Sequence, residues 1–133
     1  MQKKFINPET MPPTFGYSHV VEVSNAKRTI YISGQVAINT DGQIVGINDL
    51  ATPTQTRQVF ENIKIALETS DLNFNDVVKL TFFLTDISQM TIVRDIRDQY
   101  IDTNNPPASL AVEVRKLIND NLLIEIEAIA VAN

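Results

Sequence analysis

The spacing of apolar residues along the chain predicts six strands and two helices. A short first strand ends before Asn7, and five runs rich in β-branched and aromatic residues follow it, at 19–23, 29–33, Val77–Leu84, 110–114 and 122–131. The first two of these runs are separated only by Ser-Asn-Ala-Lys at 24–27, which predicts a hairpin. The run Val77–Leu84 is apolar on nearly both faces, which is typical of a central strand.

Two segments show the spacing of an amphipathic helix. In the first, five apolar residues form one face: Val59, Phe60, Ile63, Ala66 and Leu67. Thr52 and Gln55, three residues apart, predict a capping box at its start, with Pro53 at the first helical position. The second helix begins near Ser88 and carries a similar apolar stripe at Met90, Val93, Ile96 and Tyr100.

The order of elements, β-β-β-α-β-α-β-β, predicts a single α+β domain over residues 1–133. Two helices can cover only one face of a six-stranded sheet. The last strand nevertheless carries apolar side chains on both faces, with Ile129 and Val131 on one face and Ile126 and Ala128 on the other. We therefore expect the face without helices to pack against another subunit, so that the protein forms a homo-oligomer.

Composition narrows the classes of partner and cofactor. The 16 acidic and 11 basic residues leave a formal net charge of −5. This charge argues against nucleic acid as a partner, because duplex binding depends on a high density of Lys and Arg side chains. There is no polybasic run that would indicate a membrane surface and no apolar run long enough for a membrane span or signal peptide, so we expect a cytoplasmic protein. The chain has no cysteine and one histidine, His19, and we predict no metal and no other cofactor.

Eight short segments, in order and across nearly the whole chain, resemble the RidA/YjgF family, whose members are also called L-PSP endoribonucleases. No single segment is specific, and the resemblance depends on all of them together. They are Ile-Ser-Gly-Gln at 32–35, Gln-Thr-Arg-Gln at 55–58, Asn-Ile-Lys at 62–64, Val-Lys-Leu-Thr at 78–81, Phe-Leu-Thr-Asp at 83–86, Asn-Pro-Pro-Ala at 105–108, Val-Glu-Val at 112–114 and Ile-Glu-Ile-Glu-Ala-Ile-Ala at 124–130.

The resemblance implies a chorismate-mutase-like fold of the bacillus type, with two helices on one face of a six-stranded mixed sheet. It also implies a homotrimer with ligand clefts between subunits. For active members it implies hydrolysis of reactive imines and enamines, such as 2-aminoacrylate, to 2-keto acids and ammonia, so the expected ligand is a small metabolite with a carboxylate. The family's site positions map to a catalytic glutamate, Glu125, and to the substrate-binding positions Tyr17, Gly34, Arg94, Ser109 and Ala111.

The chain departs from the family at the residue that binds the substrate carboxylate. Active members carry an arginine where this chain has Ser109, and many carry a cysteine where it has Ala111. An arginine suits that role because its planar fork donates two parallel hydrogen bonds to a carboxylate, which a serine cannot do. Glu125 can hold the attacking water and pass on a proton.

Three functions therefore stay open. In the first, Arg94 supplies the missing cation and the deaminase survives. In the second, the cleft binds a small metabolite without turnover. The third is the ribonuclease activity of the family's older name, which the acidic balance and the lone histidine disfavour.

Overall fold

The computed structural model describes residues 1–48 and 51–133, which form six strands, two α-helices and two short 3₁₀ turns. In chain order the elements are β1 (Gln2–Ile6), β2 (Val20–Ser24), β3 (Arg28–Val36), α1 (Ala51–Glu68), a 3₁₀ turn (Phe74–Asp76), β4 (Val77–Leu84), a second 3₁₀ turn (Ile87–Gln89), α2 (Met90–Arg97), β5 (Ala108–Glu113) and β6 (Ile124–Ala132). The predicted α+β class, with two helices on one face of a mixed sheet, is confirmed.

The predicted single six-stranded sheet is wrong in its number of strands. The strands divide between a two-stranded ribbon, β1–β2, and a four-stranded sheet in the order β3–β6–β4–β5, and an isolated bridge between Ser18 and Ala108 joins the two parts. In the larger sheet β6 is antiparallel to both of its neighbours, whereas β4 and β5 are parallel. The mostly apolar strand β4 is therefore an interior strand, as its composition predicted. A register shift in β3 between Ile32 and Gln35 places Gly34 at an irregular position opposite β6.

The helices cover one face of the four-stranded sheet, and the core lies between the helices and the sheet. The predicted apolar face of α1 is buried except for the half-buried Ala66, and Phe60 contacts Phe82 of β4 with ring centroids 6.5 Å apart. The stripe of α2 is buried at Met90, Val93 and Ile96. Neither helix in the described part of the chain is long and apolar enough to cross a membrane.

The predicted hairpin between 19–23 and 29–33 is wrong. Strand β2 pairs with β1, in a register that places Val21 opposite Phe5, and β3 pairs with β6. Asn25, between them, adopts a positive φ of 60°, and the chain then joins the end of β6, where the Lys27 amide donates to the Ala132 carbonyl at 3.0 Å. Local alternation shows that a segment is extended, but the choice of partner is a long-range property.

The predicted capping box at Thr52 and Gln55 is also wrong, because the helix already includes Ala51. The Gln55 side chain is fully buried and joins two loops to the helix. Its Nε2 donates to the carbonyls of Asn121 at 2.8 Å and Gly46 at 3.3 Å, and its Oε1 accepts from the Leu123 amide at 2.8 Å. The three partners lie on segments that are distant from the helix or outside it, so tertiary contacts decide the use of this side chain.

The face of the sheet without helices carries exposed apolar side chains. Tyr31 of β3 is 77% exposed and Leu110 of β5 is 50% exposed. Between them Ile129 of β6 and Phe83 of β4 are half-buried. This surface, which we call the open face, also carries Glu125 of β6, whose side chain alternates with the buried Ile124 and Ile126.

Candidate functional site

A cavity of about 260 Å³ lies between α2, β5 and the loop at 15–17. Among the described residues, four polar side chains and no acidic one line it. The polar ones are Tyr17, Arg94, Arg97 and Ser109, and the apolar ones include Phe15, Met90 and Ala111. Four of the six predicted site residues, Tyr17, Arg94, Ser109 and Ala111, thus share one cavity.

The loop that carries Tyr17 is held against the start of β5 by Ser18. The buried Ser18 hydroxyl donates to the Pro106 carbonyl at 2.6 Å, and its amide donates to the Pro107 carbonyl at 3.2 Å. Gly16 has a φ of +78°, a conformation that glycine adopts without strain. A Cβ atom at Gly16 would also collide with Nη2 of Arg97, so the loop can lie directly on that guanidinium only because residue 16 is glycine.

Arg97, which the sequence patterns did not single out, is 3% exposed and lines the cavity. Its Nε donates to Oδ1 of Asp98 at 3.0 Å, and its Nη2 donates to the Phe15 carbonyl at 3.3 Å. The available signal was the spacing of three between Arg94 and Arg97, which places both on one side of a helix. Arg94 itself lies against the Phe15 ring, with its guanidinium carbon 5.2 Å from the ring centroid, in a cation–π contact.

The other two predicted site residues, Gly34 and Glu125, lie together but on the open face. A Cβ atom at Gly34 would collide with Oε2 of Glu125, so the carboxylate rests directly on the Gly34 backbone. Glu127 lies on the same face two residues further along β6 and is exposed. No group of three or more potential metal-ligating His, Cys, Asp or Glu side chains occurs in residues 1–48 and 51–133.

Strand register shows that the two groups of residues are on opposite sides of the sheet. Ser109 pairs with Leu80, and Leu80 also pairs with Ala128, so these three side chains point towards the helices. Glu125 lies three residues before Ala128, and side chains alternate along a strand, so Glu125 points to the opposite face. Within one chain the sheet therefore separates Glu125 from the cavity that contains Ser109.

A sequence model of the family described as Endoribonuclease L-PSP matches residues 8–132, nearly the whole chain. The chain belongs to the RidA/YjgF family. A RutC family protein of Pyrococcus abyssi is 39% identical over 132 residues, covering 98% of each chain. The protein DfrA of Myxococcus xanthus is 35% identical over 133 residues, covering 99% of this chain and 98% of its own.

Solved structures of Rid-family proteins share the fold of this family member. The Rid protein YyfB of Yersinia pestis, described as of unknown function, superposes with a TM-score of 0.87 at 36% identity, covering 98% of this chain and 99% of its own. The Rid protein YyfA of the same organism gives a TM-score of 0.72 at 34% identity, covering 98% and 100%. The roles of the individual site residues stay predictions at this point.

Proposed function

We propose that this Rid-family protein is a hydrolytic deaminase of small 2-imino and enamine acids, which acts as a homotrimer with its sites between subunits. The observation that carries this proposal is the division of the site positions between two faces of one sheet. Four of them line the cavity beside β5, and Gly34 with Glu125 lies on the open face. A site that contains Ser109 and Glu125 at once therefore needs two copies of the chain.

The open face has the properties of a surface that a second copy would cover. Tyr31 and Leu110 are largely exposed there, and large exposed apolar side chains in one area are typical of interaction surfaces. Glu125 lies on this same face. Packing the open face of one subunit beside the cavity of its neighbour would bury these apolar groups and bring the Glu125 carboxylate to the cavity mouth.

The chemistry requires a held carboxylate, a placed water and a route for a proton. Guanidinium groups in the cavity supply donors for the substrate's carboxylate. Glu125 from the neighbouring subunit accepts a proton from water as the oxygen bonds to the imine carbon, and returns a proton to the nitrogen as ammonia leaves. The carbon–nitrogen double bond becomes a carbonyl, one water is consumed, and no cofactor takes part. Fixed placement of the water and the imine supplies most of the acceleration.

A second function, binding of a small metabolite without turnover, is favoured by Ser109. A serine at this position cannot make the bidentate contact of an arginine, and a charge-assisted hydrogen bond contributes about 1.5–3 kcal/mol. A member that retained only the cavity would bind 2-keto acids and leave the hydrolysis of imines at its uncatalysed rate.

Ammonia release from freshly generated 2-aminoacrylate separates the two functions. A deaminase accelerates this release at micromolar protein, and Glu125→Gln, which keeps the shape and removes the base, lowers the rate by about 100-fold or more. The matched control is Glu127→Gln on the same strand, which keeps the wild-type rate. No acceleration by the wild-type protein would refute the deaminase, and equal rates for the two variants would remove Glu125 from the mechanism.

A further inference from the structure

Arg97 is a buried cation whose donors are only partly used. Nε bonds to Asp98 and Nη2 to the Phe15 carbonyl, and no described residue accepts a bond from Nη1. Among the described residues no fully buried side-chain nitrogen lacks a partner, so Nη1 is in contact with solvent. Arg97 also lines the cavity beside β5.

Arg94 adds a second guanidinium to the same wall. It lies one helical turn before Arg97, against the Phe15 ring, and no described carboxylate lies within ion-pair distance of it. Among the described residues the acidic group bonded to this pair is Asp98, which contacts Nε of Arg97 and leaves its Nη1 without an acceptor. The cavity therefore presents two cations, together with the hydroxyls of Tyr17 and Ser109.

We propose that Arg97 and Arg94 form a two-guanidinium site that selects small 2-imino acids with a second carboxylate. This inference rests on the proposed function of the same cleft. The buried and fixed Arg97 holds the carboxylate next to the reacting carbon, and the more accessible Arg94 holds the distal one. Both guanidiniums contact the same residue, Phe15, Arg94 at its ring and Arg97 at its carbonyl, so a short diacid can reach both.

Serine at position 109 fits this arrangement. An arginine on β5 would place a third guanidinium in a cavity that already contains two, and like charges at close range repel strongly where water is excluded. The cation that the family carries on the strand is supplied here from the helix, on another wall of the cavity.

Calorimetric titration with two stable product analogues tests the selectivity. 2-Oxoglutarate and 2-oxopentanoate have the same five-carbon chain and differ only in the distal group, a carboxylate or a methyl. We expect the wild-type protein to bind 2-oxoglutarate at least about tenfold more tightly, the value of one charge-assisted contact. Arg94→Gln abolishes this preference, because the affinity for 2-oxoglutarate falls to that for 2-oxopentanoate. The control Arg115→Gln removes the same charge from an exposed site outside the cavity and changes neither affinity.

Arg97 is tested by loss and rescue, so that a structural role is distinguished from ligand binding. Arg97→Lys keeps the positive charge but not the forked pair of donors, and lowers the affinity for both acids by about tenfold. Arg97→Gln abolishes binding, and adding Ser109→Arg to it restores affinity for 2-oxopentanoate. Equal wild-type affinities for the two acids, or an unchanged preference in Arg94→Gln, would overturn the selectivity. Failure of the Ser109→Arg rescue in a folded double variant would overturn the anion-binding role of Arg97.

These titrations are independent of turnover. If the wild-type protein shows the preference for 2-oxoglutarate but releases no ammonia from imines, the two-guanidinium site stands and the deaminase function fails. If it accelerates ammonia release from 2-aminoacrylate but binds the two acids equally, the deaminase stands and the selectivity fails.

Discussion

Mixing two inactive variants tests whether each site is shared between copies. Glu125→Gln leaves the cavity beside β5 intact, and Ser109→Phe fills that cavity but leaves Glu125 intact on the open face. The sheet separates these residues within one chain. An active site therefore forms only where a Glu125→Gln copy supplies the cavity, with its Ser109 intact, and a Ser109→Phe copy supplies the intact Glu125. In a cyclic trimer that contains both variants, one of the three sites has that composition, about a third of the total.

The assay is ammonia release from an enzymatically generated 2-imino acid, after the two variants are co-expressed with different tags and purified through both. Each variant alone stays near the uncatalysed rate. The mixture recovers activity only if the site is shared, and a site contained within one chain recovers none. Co-purification with both tags and an unchanged sedimentation coefficient show that mixed oligomers have formed.

A second mixture is the matched control, because it gives a different number for each geometry. A chain carrying both substitutions is mixed 1:1 with the wild-type chain. In trimers selected with both tags, about a sixth of the sites are active if each site uses two copies, and about half if each site lies within one chain. The shared site would be refuted if the first mixture stayed at the uncatalysed rate and the second kept half of the wild-type activity.

Two further predictions concern the fold. Gln55→Ala removes three hydrogen bonds from a fully buried side chain, and we expect urea denaturation to show a loss of about 2–4 kcal/mol, against less than about 1 kcal/mol for the half-buried control Gln58→Ala. Burial raises the pKa of Tyr100 above its ordinary value of 10, and the hydrogen bond and charge of Glu61 raise it further. The folded state then holds this proton more tightly than the unfolded state, so stability is fully present below pH 10 and falls as the pH rises towards the folded pKa. Tyr100→Phe should flatten that decline in denaturation curves between pH 8 and 11, and an equally steep decline in this variant would contradict the assignment.

Local patterns in the sequence were sufficient for the class of fold and for the faces of the helices. The stripe of Met90, Val93 and Ile96 and the mostly apolar strand Val77–Leu84 were predicted correctly, because burial imposes a period that is visible within one element. The partner of β2 and the use of Gln55 were not predictable in this way. Both depend on segments that are distant along the chain, such as the Asn121 carbonyl that Gln55 reaches.

The placement of the predicted site residues on two faces of the sheet was also beyond the sequence. The family's motifs name Ser109 and Glu125 but carry no information on which side of the sheet each residue lies. That depends on the register between β5 and β4 and between β4 and β6, which pairs both Ser109 and Ala128 with Leu80. Once the register is known, alternation along β6 places Glu125 on the far side.

The substitution at position 109 therefore has a different meaning in the folded chain than in the sequence. Taken by itself, Ser109 removes the residue that binds the carboxylate and favours loss of the activity. In the structure it lies in a cavity where Arg97, held by Asp98 and the Phe15 carbonyl, already presents a guanidinium, with Arg94 beside it. Whether the cavity can still hold a carboxylate depends on whether any cation faces the ligand, and it matters little which element carries that cation. A change at a single motif position is thus weak support for lost activity until every wall of the cavity has been considered.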